Sequence, residues 1–545
     1  MSADSTRGES PNAEAIRAGR TSLGIEFGST RIKACLVADD PSVVLAIGEF
    51  EWENQLVDER WTYSLDAIWA GLQAAYASLV ADAETRHGVR PDTFGAIGVS
   101  AMMHGYVALD AADNLLVPFR TWRNTSTGPA SAELSAEFGV NIPMRWSIAH
   151  LYQAVLDGEK HVADVRFLTT LAGFVHWKLT GQRVLGIGDA SGMFPIADDT
   201  RDYDGGMLDK FDGLVSGAVP GMHIGELLPR VLVAGAAAGE LTAEGAALLD
   251  PSGSLRAGIP LCPPEGDAGT GMVATNCVAP RAGNVSAGTS IFAMVVLEKP
   301  LRGTHRELDV VTTPAGDPVA MVHCNNGASE LAGWVALFDR FATAAGVPLG
   351  QDEVYSALFL EALEGEPDAG GILAYNQVAG EPIAGLDDGR PLVVRANDSQ
   401  FTLANFMRAQ LYGVFATLSL GMAILDEEGV ELDRMFAHGG VFRTAHVAQR
   451  FLAAALATPV SVAETASEGG AWGIAVLASY TASGSTVSFA DYLRERVFRG
   501  AAFTVVEPHP TDVEGFASYL TTYRSGLAIE RVAVQSLPHQ SRKTS

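Results

Sequence analysis

The chain has 545 residues, 48% of them hydrophobic and 19% charged, with a formal net charge of −27. That length exceeds one core and predicts two large domains, and the apolar content excludes a disordered chain. The acidic balance argues against nucleic acid or an anionic membrane as main partner, although a local glycine turn can still hold an anion.

Residues 1–20 are polar, lack the apolar segment of a signal peptide, and read as a flexible tail. From Thr21 the chain reads strand, turn, strand: Leu23-Gly24-Ile25-Glu26-Phe27, then Gly28-Ser29-Thr30, then Arg31-Ile32-Lys33-Ala34-Cys35-Leu36-Val37. Residues 43–52 continue a sheet. Ile68, Leu72, Ala75 and Leu79 recur at helical spacing over 65–85, and strands follow at 94–100 and 106–110. Glu26 stands between apolar strand residues and needs a partner; Mg²⁺ with its waters and a salt bridge to Lys33 or Arg31 are both open.

Ser100-Ala101-Met102-Met103-His104-Gly105 places Met103 and His104 at a strand end, where open α/β sheets collect ligands. Trp122-Arg123-Asn124 sets an aromatic plate beside hydrogen-bond donors, an arrangement suited to a sugar. Core packing is the competing reading for Trp122, and a structural role for His104.

Pro251 to Gly269 reads as a loop. Within it, Pro263-Pro264-Glu265-Gly266-Asp267-Ala268-Gly269-Thr270-Gly271 puts Asp267 among glycines, where a substrate could come close. Asp267 could take a proton from an attacking hydroxyl, or cap a helix starting at Ala268.

A second strand–turn–strand follows half a chain after the first: Asn284-Val285-Ser286-Ala287, Gly288-Thr289-Ser290, then Ile291-Phe292-Ala293-Met294-Val295-Val296. Gly28 and Gly288 are expected to allow φ > 0 and close approach of another group. N–H groups at such turns can cradle phosphate, and two copies predict a duplicated fold that holds a nucleotide. Helices are expected at 327–344, 403–425 and 447–457. The apolar stretch 411–425 is shorter than the about 18 residues of a membrane span and reads as a buried helix. Ala437-His438-Gly439-Gly440 places two glycines at a strand-to-helix turn, which admits a base or ribose. Cys35, Cys262, Cys277 and Cys324 form no CxxC pair and read as core residues in a reducing compartment.

Taken together, these residues resemble the FGGY family of carbohydrate kinases from about Thr21 to Ser525. Gly24 to Lys33 looks like the family's first phosphate motif, Gly288-Thr289-Ser290 like the second, and Gly266-Asp267 with Gly271 like its catalytic loop. Met103-His104-Gly105 is similar to the Met-His-Gly of xylulokinases, and Trp122-Arg123-Asn124 to their Trp-Asn-Asp. Gly439-Gly440, with Ala471-Trp472-Gly473 after Glu468-Gly469-Gly470, resembles the adenosine site. Tyr375 and Ala379-Gly380-Glu381-Pro382 resemble, in altered form, the Pro-Tyr and Ser-Gly-Glu-Arg segments. Glu26 departs from the usual Asp, and Trp122-Arg123-Asn124 loses an acid and gains a guanidinium.

The resemblance implies an α/β protein of two ribonuclease-H-like (actin-like ATPase) domains with an interdomain cleft, 21–281 on the sugar side and 282–530 on the ATP side, with a tail at 531–545. It implies ATP and Mg²⁺ as cofactors and Asp267 as the base. Gly28, Ser29, Thr30, Lys33, Gly288, Thr289, Ser290, Gly439 and Gly440 would meet ATP. Met103, His104, Trp122, Arg123, Asn124 and Asp267 would meet the sugar, and Glu26 the metal. A ketopentose is the expected substrate, xylulose-like first and ribulose second, in a cytoplasmic enzyme without nucleic-acid or membrane partners; a homodimer is one assembly left open. The rivals are a kinase of another polyol or sugar acid, a sugar sensor that no longer transfers phosphate, and an ATPase of the actin or heat-shock kind.

Overall fold

The computed structural model describes residues 10–444, 446–463 and 469–537. The chain divides into two compact units: Met1–Ala279 with Val310–Val319 and Ala466–Gly500, and Pro280–Asp309 with Ala320–Thr465 and Ala501–Ser545. The second unit is not the contiguous 282–530, because residues 466–500 return to the first.

In the first unit a five-stranded sheet runs in the order Glu265–Gly266, Ala96–Ala101, Thr21–Phe27, Arg31–Ala38, Val44–Glu51. Thr21–Phe27 pairs antiparallel with Arg31–Ala38 and parallel with Ala96–Ala101. Its residues are buried save for Glu26, as a central strand covered on both faces demands. Helix Leu65–His87 covers one face, with Ile68, Leu72, Ala75 and Leu79 buried as the periodicity predicts. Helix Gly469–Ser483 lies against Thr21–Phe27 so closely that a Cβ on Gly24 would stand 2.1 Å from the Ala471 carbonyl oxygen. The strand glycine is what permits this approach.

The second unit repeats the scheme. Ala282–Ala287 pairs antiparallel with Ile291–Val296 and parallel with Arg434–His438, the same two relations that the first hairpin has. The sheet order is Leu308–Thr312, Pro318–Cys324, Ile291–Val296, Ala282–Ala287, Arg434–His438, Val460–Ala463, Phe503–Val506. Helix Leu403–Glu428 fills its core with Met407, Leu411, Tyr412, Val414, Phe415 and Leu418, all at 0% exposure. This helix is longer than the sequence reading gave. It has the length and hydropathy of a membrane span, but 78% of its apolar window is buried inside the protein.

Three expectations change. Residues 11–17, read as tail, form helix Pro11–Arg17: the Ser10 hydroxyl accepts the Ala13 N–H, Pro11 opens the helix, and Ala13 and Ile16 are buried. Residues 531–536 continue helix Pro510–Ser536. Neither Gly28 nor Gly288 has positive φ among the described residues. A Cβ on Gly28 would lie 2.9 Å from the Arg31 carbonyl oxygen, so close approach within the turn is its requirement.

Candidate active site

Asp267 opens helix Asp267–Ala274, and Gly266, not Asp267, occupies the cap position. Its carboxylate turns across to the strand end, where Oδ1 accepts the Met103 N–H at 3.1 Å. The capping reading is thereby replaced. Burial raises the Asp267 pKa, opposed by the N–H groups of Met103, Ala268 and Asp267 itself.

Glu26 faces the same space. Burial and then the Asp267 charge push its pKa up to about 7, against the pull of Lys33 and the Ala471 N–H. Lys33 is its cross-strand partner, whereas Arg31 is taken by Glu49 and Glu51. Gly470 accommodates the longer acid: a Cβ there would stand 2.0 Å from Glu26 Oε1. The methylene by which Glu26 exceeds the usual Asp is thus matched by an absent side chain opposite. These two carboxylates offer the hard oxygen ligands that a divalent ion takes, with Lys33 beside them. Among the described residues no group of three His, Cys, Asp or Glu could hold a metal by itself.

Both glycine turns share one construction. In the first, Trp52 Nε1 donates to the Gly28 carbonyl at 2.7 Å, the Tyr63 hydroxyl to the Ser29 carbonyl at 2.6 Å, and the Trp52 N–H to the Thr30 carbonyl at 3.1 Å. In the second, the N–H groups of Ala328, Gly327 and Gly288 bond the carbonyls of Gly288, Thr289 and Ser290 at 2.8, 2.8 and 2.9 Å. The Gly28 and Gly288 N–H groups bond the Arg31 and Ser290 carbonyls, so the hydroxyls and remaining N–H groups of the turns are what they can offer an anion. The brace behind the second turn includes Asn326, whose Oδ1 accepts the N–H groups of Val378 and Ala379 and whose Nδ2 donates to Glu381 Oε2 at 3.0 Å. The altered segment at Ala379 thus keeps its buried acid.

In the second unit a cavity of about 700 Å³ opens beside this turn, lined by Gly288, Leu331, Tyr355, Phe359, Gly440 and Arg443 among others. Gly439 has φ 112°, and a Cβ on it would lie 2.2 Å from the Ala287 carbonyl oxygen, so only glycine fits. Tyr355 and Arg443 carried no motif and were missed; their helical and loop context is common to many residues. Trp472 lies in the first unit, where Nε1 donates to the Pro41 carbonyl at 2.8 Å and the ring meets Phe498 edge-on. Glu468 lies outside the described residues.

The sugar-side expectations divide. Met103 and His104 are brought to Asp267. His104 is buried with φ 70°; its Nδ1 lies 3.2 Å from the Gly192 carbonyl and its Nε2 accepts from Arg145 Nε at 3.2 Å, so both ring nitrogens have protein partners. The ring is thereby fixed on a backbone turn of positive φ. Asn124 is a brace for the hairpin Gln55–Thr62: Oδ1 accepts the Trp61 N–H at 2.8 Å, and Nδ2 donates to the carbonyls of Trp61 and Thr121 at 2.9 Å each. Arg123 stacks on Trp61 with its guanidinium 4.3 Å from the ring centre and donates to Asn54 at 3.2 Å. Trp122 is 37% exposed, which sets aside core packing. Asn124→Ala should cost about 1–3 kcal/mol, since it strands buried partners. A lowered melting temperature with unchanged sugar KM would check this; a raised KM at unchanged stability would restore Asn124 to the site.

The comparisons agree with this architecture. Residues 21–273 match the N-terminal domain of the FGGY family of carbohydrate kinases, and residues 283–482 its C-terminal domain. A xylulose kinase of Haemophilus influenzae is 21% identical over 440 residues, covering 77% of this chain and 82% of that protein. Among solved structures, a xylulose kinase from Rhodospirillum rubrum superposes with TM-score 0.74 at 21% identity, covering 94% of this chain and 98% of the other. A gluconate kinase from Lactobacillus acidophilus gives 0.75 at 15%, covering 93% and 98%. Such identities establish a shared fold and leave the substrate open. With both halves matched and the hairpin scheme duplicated, the chain belongs to the FGGY family of carbohydrate kinases.

Proposed function

We propose that this sugar kinase transfers the γ-phosphate of ATP to a hydroxyl of a small ketose, a xylulose-like ketopentose first and ribulose second. The observation that carries the reading is Asp267, held by the Met103 N–H and close enough to Glu26 to raise its pKa. Asp267 accepts the proton of the attacking hydroxyl. The turns Gly28–Thr30 and Gly288–Ser290 bind phosphate oxygens through their hydroxyls and remaining N–H groups, and the cavity beside Gly440 takes the adenosine. Mg²⁺, when bound with the nucleotide, neutralises charge on the phosphates; Glu26 is the residue that would hold it, through water. The four cysteines are buried thiols, which supports a reducing, cytoplasmic setting.

ADP release measured over a panel of ketopentoses, polyols and sugar acids tests the proposal. Turnover is expected with D-xylulose or a ribulose. Phosphorylation of a sugar acid or another polyol alone would keep the kinase and overturn the ketose. ATP hydrolysis that no sugar accelerates would favour an ATPase or sensor.

A further inference from the structure

We infer that Glu265 is a positioning residue, which locks Asp267 and the Met103–His104 turn into one geometry. The inference rests on the reading of Asp267 as the base. Glu265 is 1% exposed and sits two residues before Asp267, in the short strand Glu265–Gly266 that pairs in parallel with Ala96–Ala101. Its side chain reaches to the segment 186–192, where Oε2 accepts the Asp189 N–H at 2.9 Å and Oε1 the Gly188 N–H at 3.4 Å. The preceding backbone adds a further tie, from the Gly186 N–H to the Pro264 carbonyl at 2.7 Å.

The segment is shaped to this carboxylate. A Cβ on Gly186 would lie 2.2 Å from Oε1, and one on Gly188 2.5 Å from Oε2. From there the connection runs to the substrate turn. The Asp189 carboxylate is fully buried and receives the Thr170 hydroxyl at 2.6 Å, and a Cβ on Gly266 would stand 3.1 Å from its Oδ1. His104 Nδ1 in turn meets the Gly192 carbonyl, and a Cβ on Gly192 would stand 2.5 Å from that nitrogen. Met103 is held from the other side by Asp267 itself. The Met103–His104 turn is therefore held on one side by Asp267 and on the other by the 186–192 segment, and Glu265 ties that segment to the strand that leads into Asp267. A base must sit within a fraction of an ångström of its working position, and a 1 Å error can cost roughly 10²-fold in rate.

Hydrogen exchange and kinetics on the full chain test this. Glu265→Ala should speed exchange of the amides at 102–105 by about tenfold, along with those at 186–192, while distant segments keep their rates. It should lower kcat by roughly 10²-fold and leave KM for ATP unchanged. Glu265→Gln keeps one acceptor oxygen but turns an NH₂ toward the other N–H, so it should fall between alanine and wild type on both scales. Should the alanine variant unfold, the glutamine variant decides. The pair Glu265→Ala with Gly188→Ala refills the vacated space with a methyl group; its melting temperature should recover while kcat stays low.

Unchanged exchange at 102–105 in the folded variants would overturn the inference, as would full recovery of kcat in the refilled pair, which would make Glu265 a filler of space. The exchange comparison needs no substrate. If wild type turns over no sugar on the panel, the kinase reading fails, and the exchange result still decides whether Glu265 holds the turn.

Discussion

Asp267→Asn is expected to lower kcat by roughly 10²–10⁴-fold while the fold and ATP binding persist. Asparagine keeps an oxygen that can accept the Met103 N–H, so the geometry around the helix start should survive; only the capacity to take a proton is removed. The pH dependence carries the same logic. Removing the Asp267 charge removes the second-largest influence raising the Glu26 pKa, so Glu26 should ionise at lower pH in the variant than its wild-type value of about 7. In wild type, protonation of Glu26 as pH falls through about 7 should weaken Mg²⁺ use and lower the rate. In the variant this acid limb should move to lower pH. The stability linkage has the opposite sense. A folded-state pKa raised above 4.5 means that Glu26 contributes stability fully below about 4.5, lost as pH rises through about 7. Relative to Glu26→Gln, wild type should therefore gain in melting temperature on acidification from pH 7.5 to 5. A kcat near wild type in Asp267→Asn would remove Asp267 from proton transfer and leave it as a clamp on Met103.

Much of this arrangement was legible in the chain because repetition is a strong signal. One Gly-Ser-Thr turn says little; the second at Gly288, again between apolar strands, announced the duplicated sheet that the pairings of Thr21–Phe27 and Ala282–Ala287 display. Asp267 stood out because glycines flank it. What stayed hidden depends on contacts remote in sequence. Asn124 resembles a ligand-binding amide, and only the folded hairpin reveals that Trp61 and Thr121 consume its hydrogen bonds. Ala471-Trp472-Gly473 follows the second unit's strands in the chain, yet packs on the first, where Gly24 makes room for it. The partners of the two His104 ring nitrogens, Gly192 and Arg145, are likewise remote in sequence. Glu265, next to the most conspicuous motif, lacked any pattern of its own. Its meaning lies in the glycines at 186 and 188, far away in the chain.

Gly470→Ala is the second substitution from which a large loss is expected. The new methyl would stand 2.0 Å from Glu26 Oε1 and 2.8 Å from the Thr270 hydroxyl oxygen, well inside van der Waals contact. Gly470 belongs to helix Gly469–Ser483, whose backbone is already pressed on Gly24, so it cannot retreat without opening the sheet face. The Glu26 side chain must give instead, and its carboxylate shifts from the position beside Asp267. The Mg²⁺ concentration for half-maximal rate should rise about tenfold or more, with kcat reduced, because positioned charge is the main source of catalysis in phosphoryl transfer. Shortening the acid offers the test of cause. Glu26→Asp withdraws the carboxylate by one methylene, so the pair Glu26→Asp with Gly470→Ala should recover a large part of the Mg²⁺ dependence that Gly470→Ala loses. Thr270 limits the recovery, since its hydroxyl still faces the new methyl. Glu26→Asp alone leaves a gap opposite Gly470 and should bind Mg²⁺ less well than wild type. Recovery in the pair, measured as Mg²⁺ titrations at saturating ATP, would tie the unusual acid to the missing side chain across from it. Equal losses in the single and the double variants would mean that the helix had shifted instead, and that Glu26 has no part in holding the metal.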